Sequence, residues 1–207
     1  MDRSLSVLLL DCDGVIRHWD QQQFAALART AAGCEPEQLA AIAFHDELLT
    51  AAMTGAVTAE VWADTIGRRA GEEHGADPAT VAEGFLALGW RIDDHVLAAA
   101  QRVRAEGRTV AILSNASTRL ESDLDAAGVA AQVDAVFSSA RLGVAKPDVA
   151  VYQHVAEQLG VEPAACLFID DQPRNVVGAR DAGMIAEVFM GAPSLLALLG
   201  EVGLVSR

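Results

Sequence analysis

The sequence predicts an α/β protein, a parallel sheet core with a smaller all-helical lobe inserted near its N-terminus. Short strand-like runs recur at residues 6–10, 109–113, 135–138, 166–169 and 185–190. After the second run they are separated by helical stretches long enough to cross over a sheet and return parallel. Between the first and second runs the chain is far longer than one crossover and carries helical rather than strand periodicity throughout. A second lobe is therefore expected there.

The first run, Val7–Leu10, is four branched apolar residues followed by Asp11-Cys12-Asp13-Gly14-Val15. The run alone could open a helix, but its shortness and the glycine favour a buried strand ending in a turn. Aspartates suit such a turn because they hydrogen-bond nearby backbone. A calcium loop is excluded, since Gly14 stands fourth where the sixth position must be glycine and Gln22 stands where the twelfth must be glutamate. In the insertion, Phe24, Leu27, Ala28 and Ala31 form one stripe, Val61, Trp62, Thr65 and Ile66 a second, and Val81, Phe85 and Leu88 a third. Breaks at 33–36, 55 and 71–78 make this a bundle of about four helices. A helix over 93–106 shows Val96, Ala99, Ala100 and Val103 on one face before Gly107, and is expected to pack on the sheet and lead into the second strand. Val151, Val155, Ala156 and Leu159 repeat the pattern before Gly160. The expected division is residues 1–16 and 93–207 for the core and 17–92 for the lobe.

Composition narrows the function. The chain has 207 residues, 52% hydrophobic and 21% charged, as an ordered globular protein does. A formal charge of −14 disfavours attraction to nucleic acid or anionic membrane. A small phosphorylated ligand stays open, because a metal ion and one or two cations can invert the field inside a pocket. Cys12, Cys34 and Cys166 are too few and too widely spaced for a disulfide framework or zinc knuckle, which fits a reducing cytoplasm. No basic leader and no stretch of 18 apolar residues is present, so a soluble, unprocessed chain is expected. Cys12 points away from both flanking aspartates on a strand and is read as packing.

In an open α/β sheet the ligand crevice lies outside the carboxyl ends of the strands. There the sequence places Asp11 and Asp13, then Ser114 and Asn115, then Lys146 in Gly143-Val144-Ala145-Lys146-Pro147-Asp148, then Asp170 and Asp171. Thr118 and Glu121 have capping-box spacing, which would leave Ser114 free. Lys146 is one of very few lysines in a chain whose cations are nearly all arginine, as if a compact point charge were wanted. Converging carboxylates repel unless a cation joins them, and a hard ion of the magnesium type takes oxygen ligands and bridges to phosphate. A hydroxyl and an ammonium then bind the other phosphoryl oxygens. One aspartate attacks phosphorus, and a second, two residues on, moves the proton.

At these positions the chain closely resembles the haloacid dehalogenase superfamily of hydrolases. Asp11-x-Asp13-Gly14-Val15 resembles its first motif, Ala111-Ile112-Leu113-Ser114-Asn115 its second, Gly143-x-x-Lys146-Pro147-Asp148 its third, and Phe168-Ile169-Asp170-Asp171-x-x-x-Asn175 its fourth. The resemblance implies a Rossmann-like parallel sheet of order 5-4-1-2-3 and a helical cap after motif one. It implies a phosphatase with Asp11 as nucleophile and Asp13 as general acid and base. Magnesium would be held by Asp11, the Asp13 carbonyl and Asp170, with Asp171 in support. Ser114 and Lys146 would bind the phosphoryl group and Asn115 would border the substrate, a small-molecule phosphate ester. Within the family a 2-haloacid dehalogenase or a phosphomutase is the alternative. Dehalogenation needs no leaving-group proton, so Asp13 points to phosphate-ester chemistry. Outside the family a phospho-acceptor signalling module gathers similar groups, but needs no lid. On the cap side, Arg17, His18, Trp19, His45 and Trp90 are candidates; Arg17, and after it Arg174, could meet an anionic leaving group, and the tryptophans read as packing.

Overall fold

The computed structural model describes residues 5–206. Strand β1 (Val7–Leu10) leads to β2 (Arg17–Trp19), then to helices α1 (Gln21–Leu27), α2 (Pro36–Ala43), α3 (Asp46–Met53), α4 (Ala59–His74) and α5 (Pro78–Leu86), and to β3 (Trp90–Ile92). Elements then alternate: α6 (Asp94–Ala105), β4 (Thr109–Ser114), α7 (Leu120–Ala126), β5 (Ala135–Ser138), α8 (Ser139–Leu142), α9 (Val149–Gln158), β6 (Cys166–Asp170), α10 (Pro173–Asp181), β7 (Ile185–Val188) and α11 (Ala192–Glu201).

The five long strands form one parallel sheet of order β5-β4-β1-β6-β7. Counted along the chain and read from the β7 edge, this is the expected 5-4-1-2-3. All four residues of β1 are buried because it is hydrogen-bonded on both edges and covered on both faces. Alternation sorts its side chains. Leu8 and Leu10 join Val110, Ile112, Leu167 and Ile169 beneath α6, α7 and α11, whereas Val7 and Leu9 join Leu113 and Phe168 beneath α9 and α10. Burying each such leucine contributes about 1.5–3 kcal/mol. Cys12 falls in the first set, fully buried among apolar neighbours, and burial pushes its thiol well above its ordinary pKa. It is an inert packing group, as read.

The inserted segment has its own apolar cluster, in which Leu27, Leu39, Trp62, Ile66 and Val81 meet. Its helices start where the side chains dictate: Asp20 accepts from the Gln22 and Gln23 amides, Thr58 from Val61, and Glu35 with Gln38 forms a capping box. Two features depart from the sequence reading. The bundle has five α-helices, because the stretch between the breaks at 33–36 and 55 is divided at Phe44 and His45, where no glycine or proline marks the division. The segment is also not helical throughout: β2 and β3 pair antiparallel, with Arg17 opposite Ile92 and Trp19 opposite Trp90. Three-residue strands are too short to show a period of two. No helix among the described residues is long and apolar enough to cross a membrane.

Candidate active site

Backbone pairing brings the predicted residues together. Asp11 lies one residue beyond β1, and its N–H donates to the Ile169 carbonyl at 2.8 Å, which extends the ladder by one residue to Asp11. Its carboxylate accepts from the Cys12 amide at 2.6 Å. Ser114 is the last residue of β4 and Asp170 the last of β6, the two neighbours of β1. Three strand ends therefore deliver a hydroxyl and two carboxylates to one place.

Lys146, the only lysine of the chain, reaches this place from the loop before α9. Asn115 anchors that loop: its Nδ2 donates to the Lys146 carbonyl and its Oδ1 accepts from the Lys146 amide, both at 2.8 Å. On the other side Gly178 lets α10 lie so close to the Pro147 carbonyl that a Cβ would overlap it. The lysine Nζ stands 2.9 Å from Asp11 Oδ1 and 2.6 Å from Asp170 Oδ2, and donates to the Leu113 carbonyl at 3.0 Å. Asn175 Nδ2 meets both Asp170 oxygens at 3.1 Å, and the buried Tyr152 hydroxyl donates to the Asn175 carbonyl at 2.7 Å. The sequence reading placed Asn175 in motif four without a task; here it orients Asp170.

Burial raises the Asp11 carboxyl to about 7, with Lys146 pulling it down and Asp170 pushing it up. Burial alone would lower the Lys146 pKa, but Asp11 and Asp170 outweigh it and hold the ammonium above its ordinary value. Two carboxylates thus share one cation. Oxygens of Asp11, Asp170 and Asp171 all lie within 4.8 Å of one another, so three carboxylates face a single ammonium. When all are ionised, two negative charges are left uncompensated, the charge of one divalent cation. Gly14 makes room for this cluster: its φ is +87°, and a Cβ there would lie 2.6 Å from Asp171 Oδ2. Hard oxygen donors and a charge shortfall of two fit magnesium. The Ser114 hydroxyl is buried without a hydrogen-bond partner among the described residues, a polar atom that a phosphoryl oxygen could satisfy.

Asp13 stands apart from that cluster. Arg17 holds it in a bidentate pair, Nε to Oδ1 at 2.7 Å and Nη2 to Oδ2 at 2.9 Å, and Trp19 Nε1 donates to Oδ1 at 2.8 Å. The guanidinium is buried, lies 4.6 Å from the Trp19 ring and 5.6 Å from the Trp90 ring, and has Asp123 at 3.4 Å. The expectation that Arg17 is free to meet an anionic leaving group is therefore corrected, because its charge is already paired. Trp19 and Trp90 are not mere packing, since both flank this pair and line a cavity of about 410 Å³ whose wall also includes Asp13 and Asn115. His18 and His45 do not line it; His18 lies 3.7 Å from Asp93. Arg174 is exposed on α10. The capping box expected at Thr118 and Glu121 does not form. Thr118 Oγ1 instead accepts from the Ala59 amide of the helical lobe at 3.1 Å, and Glu121 accepts from Ser138 at 2.7 Å. Asp123 and Arg119, which join Arg17 from α7 and its N-terminal edge, carried no local signal in the sequence.

The fold and this constellation agree with known proteins. The chain belongs to the haloacid dehalogenase-like hydrolases, whose family pattern matches residues 5–183. Phosphatase MT3486 of Mycobacterium tuberculosis is 44% identical over 90 residues, 42% of each chain. The chloroplast flavin mononucleotide hydrolase 1 of Arabidopsis thaliana is 44% identical over 68 residues, 33% of this chain and 28% of that one. The matched stretches thus span less than half the length of these curated relatives. A haloacid dehalogenase family enzyme of Bacteroides thetaiotaomicron, solved with magnesium and inorganic phosphate, superposes with a TM-score of 0.72 at 20% identity, covering 89% of this chain and 94% of that one. The chain thus shares the family of these hydrolases and the fold of that enzyme.

Proposed function

We propose that the protein is a magnesium-dependent phosphatase that hydrolyses a small phosphorylated metabolite through an aspartyl-phosphate intermediate. The observation that carries this reading is the buried cluster of Asp11, Lys146 and Asp170, one cation for two carboxylates, with the unpartnered Ser114 hydroxyl on the adjacent strand. The phosphatase relatives support it. Asp11, Asp170 and the Asp13 carbonyl, with Asp171 in support, would hold magnesium, which supplies positive charge against the incoming phosphate dianion.

Lys146 and Ser114 bind phosphoryl oxygens and orient phosphorus toward Asp11. An Asp11 oxygen forms a bond to phosphorus as the bond to the alcohol oxygen breaks, and Asp13 gives its proton to that oxygen. Asp13, now a carboxylate, takes a proton from water as the water oxygen attacks phosphorus. The Asp11–phosphorus bond breaks, and inorganic phosphate leaves. In this account Arg17 and Trp19 position Asp13, and residues 17–92 act as a cap that shields the intermediate. A phosphomutase would hand the phosphoryl group to a second hydroxyl, and a dehalogenase would have no task for Asp13 or for the charge shortfall.

The test is release of inorganic phosphate from p-nitrophenyl phosphate and acetyl phosphate, with magnesium and with a chelator. Magnesium-dependent release is expected, and Asp11→Asn should reduce it at least about a thousandfold with the fold intact by circular dichroism. Release that ignores magnesium or survives Asp11→Asn, or no release from either compound, would overturn the reading.

A further inference from the structure

We infer that the alcohol part of the substrate is apolar: the site takes the phosphate monoester of a hydrophobic alcohol or phenol, not of a sugar. This deepens the phosphatase reading and rests on it. The cavity of about 410 Å³ is lined in part by Asp13 and Asn115, which neighbour Asp11 and Lys146 in sequence or by hydrogen bonds, so it is the space that receives the leaving group once phosphate sits against Asp11 and Lys146. Its far wall is aromatic. Phe24 stacks on Phe44 at 6.1 Å between ring centroids, Phe44 meets Trp62 edge-on at 6.3 Å, and Trp62 meets Phe85 edge-on at 5.1 Å. Leu49, Met53 and Leu88 line the same space, as do Trp19 and Trp90. Phe44 is 47% exposed and Trp19 38%, so each ring, though packed on one side, leaves apolar surface to solvent.

The polar side chains around this space are engaged with one another. Arg17 pairs with Asp13 and Asp123. Arg119 donates to the Leu86 carbonyl at 2.8 Å and to Asp123 at 3.3 Å. Asp20 caps α1, Trp62 Nε1 donates to the Ala43 carbonyl at 3.0 Å, and Asn115 is bonded to Lys146. Among the polar groups of the wall, Gln21, Ser117 and the Trp90 indole N–H stand outside these pairs. A sugar would surrender its water hydrogen bonds here for few replacements, whereas an apolar group gains by leaving water. The volume suits a bicyclic ring system or a medium-length alkyl or isoprenoid chain.

All three tryptophans of the chain, Trp19, Trp62 and Trp90, line the cavity, so their emission reports its occupancy without turnover. The experiment has two arms. In the first, octylphosphonate is titrated into the magnesium-loaded protein beside methylphosphonate; it should change tryptophan emission and bind at least about tenfold tighter. In the second, phosphate release from octyl phosphate and 1-naphthyl phosphate should exceed that from glucose 6-phosphate at least about tenfold in kcat/KM. Phe44→Asn, at an exposed ring, and Met53→Gln should each narrow both ratios severalfold. Equal binding of the two phosphonates, or a preference for glucose 6-phosphate, would overturn the proposal. If no ester were hydrolysed at all, the phosphatase reading would fail, and the emission titration would still decide whether the cavity takes an apolar body.

Discussion

At the sheet end of the cavity, Asp11, Ser114 and Asp170 each stand at or within one residue of a strand terminus, and adjacent strands hold them in register. In the helical segment, Phe24, Phe44, Trp62 and Phe85 come from α1, the end of α2, α4 and α5, and are placed by side-chain packing and a single side-chain hydrogen bond, from Trp62 to the Ala43 carbonyl. A hydrogen-bond ladder fixes a position before any side chain is chosen, because pairing repeats with a period of two. A wall of rings is fixed only by the sum of its contacts. On the proposed reading, the reactive groups occupy the rigid side, and the side that meets the variable part of a substrate is built from parts that can be exchanged.

The largest test of this contrast removes the cation from the rigid side. Lys146→Met leaves Asp11 and Asp170 buried without their partner, and unfolding by urea should show a loss of about 3–5 kcal/mol in the metal-free protein. Magnesium should restore part of it, and a variant as stable as the parent without metal would deny that the cluster depends on charge balance. Next comes the junction between the two sides. Arg17→Met keeps an unbranched apolar stem but removes the guanidinium and so releases Asp13, and kcat on p-nitrophenyl phosphate should fall about tenfold, with a much smaller change in KM. Equal losses in kcat and in affinity would make Arg17 a binding group instead. On the packed side, Trp62→Phe keeps a ring but leaves the Ala43 carbonyl without its donor, an expected cost of about 1 kcal/mol in the same urea experiment.

The smallest effect belongs to the opposite end of the sheet, where no chemistry is expected. Asp134 accepts from the Val110 amide at 2.8 Å and from Arg104 at 2.7 Å; burial would raise its pKa, but these bonds win and lower it. Its contribution is complete above the unfolded value of 3.8 and disappears as pH falls through the lower folded value. Thermal melts of Asp134→Asn should thus lie slightly below the parent near neutrality and converge with it in acid. A gap that persists in acid would mean that the asparagine acts through something other than charge.

The strand-end residues were legible because each follows an apolar run whose end the sequence marks, and because the motif order places the runs side by side. The lone lysine was legible as an exception to an arginine-rich chain. What sequence did not reveal was pairing across distance: Arg17 meets Asp123 from 106 residues away, and no local pattern announces it. Thr118 was misread for the same reason, since its spacing to Glu121 suits a cap while its actual partner, Ala59, belongs to another lobe. The β2–β3 ribbon escaped because three residues cannot display a period.

That ribbon makes the chain depart from the core and return to it at one point. The Asp20 amide donates to the Gly89 carbonyl at 2.9 Å and the Asp93 amide to the Ile16 carbonyl at 2.8 Å. Exit and re-entry are thus one strand spacing apart, about 5 Å. In the language of gene architecture, residues 21–88 form a cassette: a two-residue turn could bridge its ends, or a foreign segment with similarly spaced termini could replace it, and the register of the five parallel strands would have no cause to change.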